Sequence, residues 1–338
     1  MTGGAGEKPP LAVLALSRGG CALGRQLAGQ LHADFFACKG RLAAVMAQVW
    51  PHYRGIVCIM ATGIVVRTIA PLLGDKYHDP AIVVGDERGR FAISLLSGHL
   101  GGANDLARRV ATATGGTAVL TTASDVLGRT ALDLWCREHG LTAADKKAFT
   151  RAMGRLVDQG SLSLWSRYPL PELPADLVPV TERDAADLRI DSRTMGASRA
   201  VLLCPKSLVV GIGCNRGTSA ATIAQAVAAT CAQHGLASQA IARLASIDLK
   251  EDETGLLDYA RQQSLDIDFF SKDALNQVEG VSTSATVQRA IGAKGVAEPA
   301  ALLGAGPGAI LLVAKMKWTD VTTAVAEMGD PLQGWLGG

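Results

Sequence analysis

The chain has 338 residues, about twice the usual domain length of roughly 100–200. Hydrophobic residues make up 48% and charged residues 19%, a balance that excludes disorder, collagen and a small disulfide scaffold. Basic residues number 33 and acidic residues 31, a net charge of +2 without a basic stripe, which sets aside a nucleic-acid partner.

Residues 1–10, Gly-rich with Glu7 and Lys8, read as a disordered start. The apolar run Leu11–Leu16 is too short for a signal-peptide core and reads as a strand, with a helix over Gly24–Ala33. Gly55–Ala61 is a continuous apolar strand, followed by helical periodicity over Gly63–Leu73. That stretch is broken by Arg67 and Pro71, and nothing in the chain approaches the roughly 18–20 apolar residues of a membrane span. Ala81–Gly85, Phe91–Leu96 and Thr117–Thr122 are further strands, with a helix over Gly101–Thr114. Continuous apolar strands imply a sheet covered on both faces, and strand–helix–strand order implies parallel crossovers. The hairpin-like Asp86–Arg90 connection makes one pair antiparallel.

Between about 140 and 206 the pattern weakens. Asp145–Val157 reads as a helix and Ser161–Ser166 as a strand, while the proline-rich Tyr168–Pro174 is irregular. A second α/β block opens with the strand Ser207–Gly213 and the helix Thr218–His234. Later strands are Gln239–Ser246, Asp266–Phe270 and Ala309–Lys315. The fold expected is α/β: two α/β domains with largely parallel sheets flanking a small middle module. The boundaries are 1–10 for the start, 11–137 for the first domain, 138–206 for the middle module or linker, 207–330 for the second domain and 331–338 for a tail. Seven Cys are scattered singly with no C-x-x-C pair. That predicts reduced thiols in a cytoplasmic protein and neither disulfides nor a structural metal site.

Chemistry concentrates where strands feed helices. In Ser97-Gly98-His99-Leu100-Gly101-Gly102-Ala103-Asn104-Asp105 a buried strand ends and a helix begins, which is where ligands sit in α/β sheets. Gly101 and Gly102 expose N–H groups suited to an anion, and Ser97, His99, Asn104 and Asp105 add an acid–base set. Imidazole ordinarily titrates near neutrality, so His99 is the expected general base. Asp105 suits the helix N-terminus and a pair with Arg109 equally well. The run Gly211-Ile212-Gly213-Cys214-Asn215-Arg216-Gly217-Thr218-Ser219 approaches a dinucleotide fingerprint, but Arg216 stands at the third glycine and the expected later acid is missing. Anion binding by the helix start at Thr218 and the Arg216 fork is the better account, with Cys214 a structural thiol. Lys250, against the dipole trend of its acidic helix start, is a further carboxylate ligand. Of the basic residues 22 are Arg and 11 Lys, a bias that fits an acidic small molecule.

Taken in order, these runs resemble the CbiG family of the anaerobic cobalamin pathway. The resemblance rests on Gly55-Ile56-Val57, Ala61–Arg67, Lys76 with Asp79-Pro80, Leu95–Asn104 and Thr121-Thr122-Ala123-Ser124-Asp125 in the first half. In the second half it rests on Gly211–Ser219, Ile247–Lys250, Val296–Ala301 and Leu311–Lys315. It spans most of residues 52–328, and Asn215 departs from it where a second basic residue is expected.

The resemblance implies a cobalt-precorrin-5A hydrolase that opens the ring-A lactone and releases acetaldehyde, with no cofactor because cobalt arrives in the substrate. His99, Asp105 and Ser97 are then the expected catalytic residues. Arg67, Gly101, Gly102, Asn104, Arg216, Thr218 and Lys250 are the expected substrate ligands, around a cleft between the domains. The expected partner is the cobalt-corrinoid substrate, with neighbouring pathway enzymes and self-association left open. Two other readings stand: a non-catalytic tetrapyrrole-binding or channelling protein, and a nucleotide-dependent oxidoreductase.

Overall fold

A computed structural model describes residues 10–74, 78–99, 101–170, 172–194, 199–283, 288–289 and 292–329. The expected disordered start (all but Pro10), the 331–338 tail, Lys76 and Leu100 lie outside the described residues. The chain divides into two compact units, Met1–Leu134 and Trp135–Gly338.

In the first unit β1 (Leu11–Ala15), β2 (Asp34–Ala37), β3 (Gly55–Ile59), β4 (Ala81–Gly85), β5 (Phe91–Leu96) and β6 (Thr117–Val119) form one sheet in the order β2-β1-β3-β4-β5-β6. Strands β1 to β4 are mutually parallel, β5 is antiparallel to β4, and β6 is parallel to β5. Alternation along the strands divides the apolar residues between two faces. Val13, Val57 and Val83 meet α1 (Arg18–Leu31) and α4 (Ala103–Thr114). Leu14, Ile56, Cys58 and Ile82 meet α2 (Leu42–Val49) and α3 (Thr62–Ile69) on the other face. The helix expected from Gly24 begins at Arg18 because the Ser17 hydroxyl accepts the Gly20 N–H at 2.9 Å, a cap that the glycines behind it obscure. Short α5 (Ala123–Leu127) and α6 (Leu132–Glu138) follow β6.

The second unit holds two sheets. Residues 138–206 form more than a linker. In this region β7 (Leu141–Ala143), α7 (Lys146–Gln159), β8 (Leu162–Ser166), β9 (Leu177–Pro179), β10 (Leu188–Ile190) and β11 (Val201–Pro205) build a five-stranded sheet ordered β7-β11-β10-β8-β9. The second sheet follows with β12 (Leu208–Cys214), α8 (Ala220–Gln233), β13 (Ile241–Ile247), α9 (Thr254–Gln263), β14 (Asp266–Phe270), α10 (Lys272–Gln277), α11 (Ala297–Ala305), β15 (Ile310–Lys317) and β16 (Val321–Glu327), in the order β14-β13-β12-β16-β15. Here too alternate strand residues divide the core, Val210 and Ile212 facing α8 and α9 while Val209 and Ala245 face α10 and α11. A buried polar knot joins the two sheets: Glu327 on β16 accepts from Tyr168 Oη at 2.8 Å and Ser192 Oγ at 2.6 Å, with Arg167 at 3.4 Å.

Helix α11 lies so close to β12 that a Cβ on Gly211 would come within 1.9 Å of the Ala297 carbonyl oxygen. Because the obstacle is backbone, Gly211→Ala should destabilise the protein by at least about 1–3 kcal/mol, read as a lower denaturant midpoint.

Candidate active site

The reversal at β5 positions the site. Strands β5 and β6 run against β1–β4, so their carboxyl ends lie at the sheet end where β4 starts. There the chain turns through Ser97, whose φ of 59° is a left-handed value rare for a side-chain-bearing residue. Backbone bonds from Gly102 N to His99 O, Ala103 N to Ser97 O and Asn104 N to Gly98 O wind the loop into α4. Gly101 admits nothing larger, since a Cβ would lie 2.3 Å from that of Ser97. After β6, Thr122 leads into α5, which presents Ser124 and Asp125 to the same loop.

Asp125 is the hub. Its Oδ2 takes His99 Nε2 at 2.8 Å and Asn104 Nδ2 at 2.8 Å, and its Oδ1 takes Arg108 Nη2 at 2.6 Å. Ser124 Oγ lies 3.1 Å from His99 Nε2, and on the other side of the ring Asp133 Oδ1 stands 3.6 Å from Nδ1. The imidazole thus has a carboxylate at each nitrogen, one in hydrogen-bond contact and one just beyond it. Burial opposes ionisation of Asp125, but the His99 and Arg108 hydrogen bonds outweigh it and hold the carboxyl below the usual carboxylate range.

His99 therefore sits where the strand end places it, among partners that differ from those expected. Asp105 is exposed on the first turn of α4, and Asp125 and Asp133 are the carboxylates at the ring. The Ser97 hydroxyl donates to the Asp79 carbonyl at 3.0 Å, which leaves Ser124 as the hydroxyl beside His99. Asn104, expected on the substrate, is 3% exposed; it accepts from Ser94 Oγ at 2.7 Å and donates to Thr122 Oγ1 and Asp125. The Gly102 N–H, expected to bind an anion, is bonded to the His99 carbonyl. Arg67 is exposed on α3 and donates to the Gly63 carbonyl one turn back.

In the second unit the expected anion niche is filled from within. Glu253, 4% exposed, accepts the Gly217 N–H at 2.8 Å and Lys250 Nζ at 3.0 Å. Burial works against its charge, but Lys250 and the Gly217 N–H hold its carboxyl below the usual range. Lys250 is thus the counter-ion of a buried glutamate. The Thr218 hydroxyl donates to the Asn215 carbonyl at 2.9 Å, and Asn215 itself is tied to Asp320 at 2.7 Å. Arg216 pairs with Asp252, both side chains well exposed, and donates to the Leu249 carbonyl at 3.0 Å. The Cys214 thiol, half-buried, is pushed up by burial, as expected of a structural thiol rather than a nucleophile.

A histidine braced by a partly buried carboxylate at a strand end is an arrangement suited to acid–base chemistry on an α/β scaffold. Family models described as Cobalamin synthesis G N-terminal and Cobalamin synthesis G C-terminus match residues 44–125 and 208–326. Cobalt-precorrin-5A hydrolase of Priestia megaterium is 35% identical over 310 residues, 85% of this chain and 82% of the relative. The enzyme of the same name from Salmonella typhimurium strain LT2 is 33% identical over 320 residues, 87% of this chain and 91% of the relative. Protein CobE of Sinorhizobium sp. is 32% identical over 121 residues, 35% of this chain and 79% of its own length. The chain belongs to the CbiG family. Its first family segment includes His99, Asn104, Arg108 and Asp125 and ends at the last of them.

The pKa of Asp125 carries a stability consequence. An unfolded aspartate titrates near pH 3.9, and the folded group titrates lower. Its stabilising contribution is then complete above about pH 4 and is lost as pH falls through the folded value. Asp125→Asn should be less stable than the parent at pH 6, and the gap in denaturation free energy should narrow steadily below about pH 4.

Proposed function

We propose that this chain hydrolyses cobalt-precorrin-5A, opening the ring-A lactone and releasing acetaldehyde. The observation that carries this reading is identity of 33–35% to enzymes of that name across both halves of the chain. Cobalt is part of the substrate, so the protein's task is to move protons at an organic centre.

The reaction requires protons to move in both directions. Water adds to the lactone carbonyl carbon as a base removes its proton. The protonated base returns that proton to the departing oxygen as the acyl C–O bond breaks, leaving a carboxylic acid, which ionises to solvent, and a hydroxyl. Removal of the hydroxyl proton then lets its oxygen form a carbonyl as the adjoining C–C bond breaks. The electron pair passes to the macrocycle and acetaldehyde departs. His99 is the base for these steps. Its Nε2 is held by Asp125 at 2.8 Å, so Nδ1 faces the reacting proton, with Asp133 at 3.6 Å to steady the charge the ring acquires. Asn104 and Arg108 are positioning residues acting through Asp125. The Gly101 N–H is the oxyanion donor of the loop, Gly102 being bonded internally. Arg67 is the substrate-carboxylate ligand of the first unit. Arg216, whose ion pair with Asp252 is solvent-exposed and therefore weak, can exchange Asp252 for a substrate carboxylate while keeping its bond to the Leu249 carbonyl.

Loss of a general base typically costs about 10²–10⁴-fold in rate. His99→Ala should bind cobalt-precorrin-5A with near-parental affinity and release acetaldehyde slower by that factor. Turnover within a few-fold of the parent would move the chemistry away from this loop. A parent protein that binds the substrate and releases no acetaldehyde would make the chain a tetrapyrrole carrier.

A further inference from the structure

The sheet of residues 138–206 carries a cleft that the hydrolytic reading does not use. It opens between the start of α7 and the β10–β11 face, with a volume of about 700 Å³, within the range of small-molecule sites. Arg189 on β10 lines it from within, and Arg151 on α7 and Arg199 before β11 are exposed at its rim. The one acid among the described lining residues, Asp145, caps α7, its Oδ1 accepting the Lys147 and Ala148 N–H groups at 2.8 and 3.0 Å.

Arg189 is short of hydrogen-bond partners. It is 4% exposed, its Nη2 donates to the Arg193 carbonyl at 3.1 Å, and its buried Nε has no hydrogen-bond partner. The Nε is itself enclosed, but it leaves a buried guanidinium at the cleft wall short of an acceptor, a positive charge that an anion in the cleft would balance. The nearby Asp191 does not neutralise the region, because it faces Arg167 and Arg193 as well as Arg189. The position on the strand explains the placement. Leu188 and Ile190 flank Arg189 and are fully buried, and alternation turns the arginine to the opposite face of the sheet.

We propose that this cleft binds the carboxylate of an organic anion, with Arg189 gripping it from the floor and Arg151 and Arg199 from the rim. The planar guanidinium fork matches a carboxylate in a bidentate way. Ala148 and Leu202 give the cleft apolar walls, which would contact the hydrocarbon body of such a ligand and nothing in a bare inorganic anion. A carboxylate of this kind comes either from a side arm of a tetrapyrrole or from a free small dicarboxylic acid.

Isothermal titration of the full-length protein with coproporphyrin III, glutarate and inorganic phosphate separates these sources. Turnover does not enter the readout, and the dependence on the rim arginines separates this cleft from the proposed substrate site, so failure here leaves the hydrolase reading intact and the reverse. At least one of the two carboxylates should bind. Arg151→Ala/Arg199→Ala, both changes at exposed positions, should weaken it about tenfold or more, and Arg189→Met should do the same if its thermal unfolding remains cooperative. Coproporphyrin binding alone, weakened by the rim double variant, assigns the site to a macrocycle arm, and glutarate binding weakened in the same way assigns it to a free acid; either supports the site. Carboxylate affinities indifferent to the rim double variant, no binding of either carboxylate, or phosphate binding as tightly as the carboxylates would overturn the proposal.

Discussion

One carboxylate, that of Asp125, ties the first unit's functional end together. It receives a hydrogen bond from the loop after β5 through His99, from the first turn of α4 through Asn104 and from the next turn through Arg108. Backbone hydrogen bonds already join the loop to α4, so what the carboxylate adds is the tie from this loop and helix to α5. Charge-assisted bonds of this kind are the strong ones, and here they offset the cost of partly burying the Asp125 charge. The consequence is a histidine whose ring is oriented before any substrate arrives. Preorganised dipoles and proton acceptors are what an acid–base enzyme needs, since no free energy then goes into reorientation during the reaction. The left-handed Ser97 and the space-limited Gly101 belong to the same device, because they let the chain double back tightly enough for Nε2 to reach Asp125.

The C-terminal half applies similar chemistry to a different end. Its glycine-rich strand-to-helix turn has the exposed N–H that attracts anions, yet the anion is the protein's own Glu253, held by Gly217 and Lys250. Removing either cation or carboxylate alone from such a buried pair leaves an uncompensated charge. The arrangement therefore holds the turn after β12 against the segment before α9. A Cβ on Gly255 would collide with the Thr218 backbone, which shows how closely the two segments approach.

The architecture was largely legible in the sequence because buried parallel strands such as Gly55–Ile59 and Ala81–Gly85 write themselves as continuous apolar runs. The antiparallel β4–β5 pair was legible from its short polar connection. Strand β2, four residues long, and β16, whose Thr322 and Thr323 break the apolar run, carried too little signal, although β16 stands second from the edge and pairs along all of β12. In the site, His99 was visible because it follows a strand end directly. Its true partners were not, since Asp125 and Asp133 lie 26 and 34 positions away and meet it only when β6 returns beside β5. The run Thr121–Asp125 was visible as a family motif without a role, and its place after a strand that pairs with β5 was the available signal. Asp105 misled for a physical reason: a carboxylate in a first helical turn is favoured by the helix itself.

The account's central claim is that His99 and Asp125 act as one unit, the carboxylate working only through the imidazole. A double-mutant cycle on acetaldehyde release from cobalt-precorrin-5A, with His99→Ala, Asp125→Asn and the combination, tests this most directly. Residues that act as a unit are strongly non-additive. The account predicts that Asp125→Asn slows the parent by roughly tenfold or more, through lost positioning, and has almost no further effect once His99 is gone. Rate losses that multiply in the double variant would contradict it, because Asp125 would then contribute to catalysis by a route that does not pass through His99.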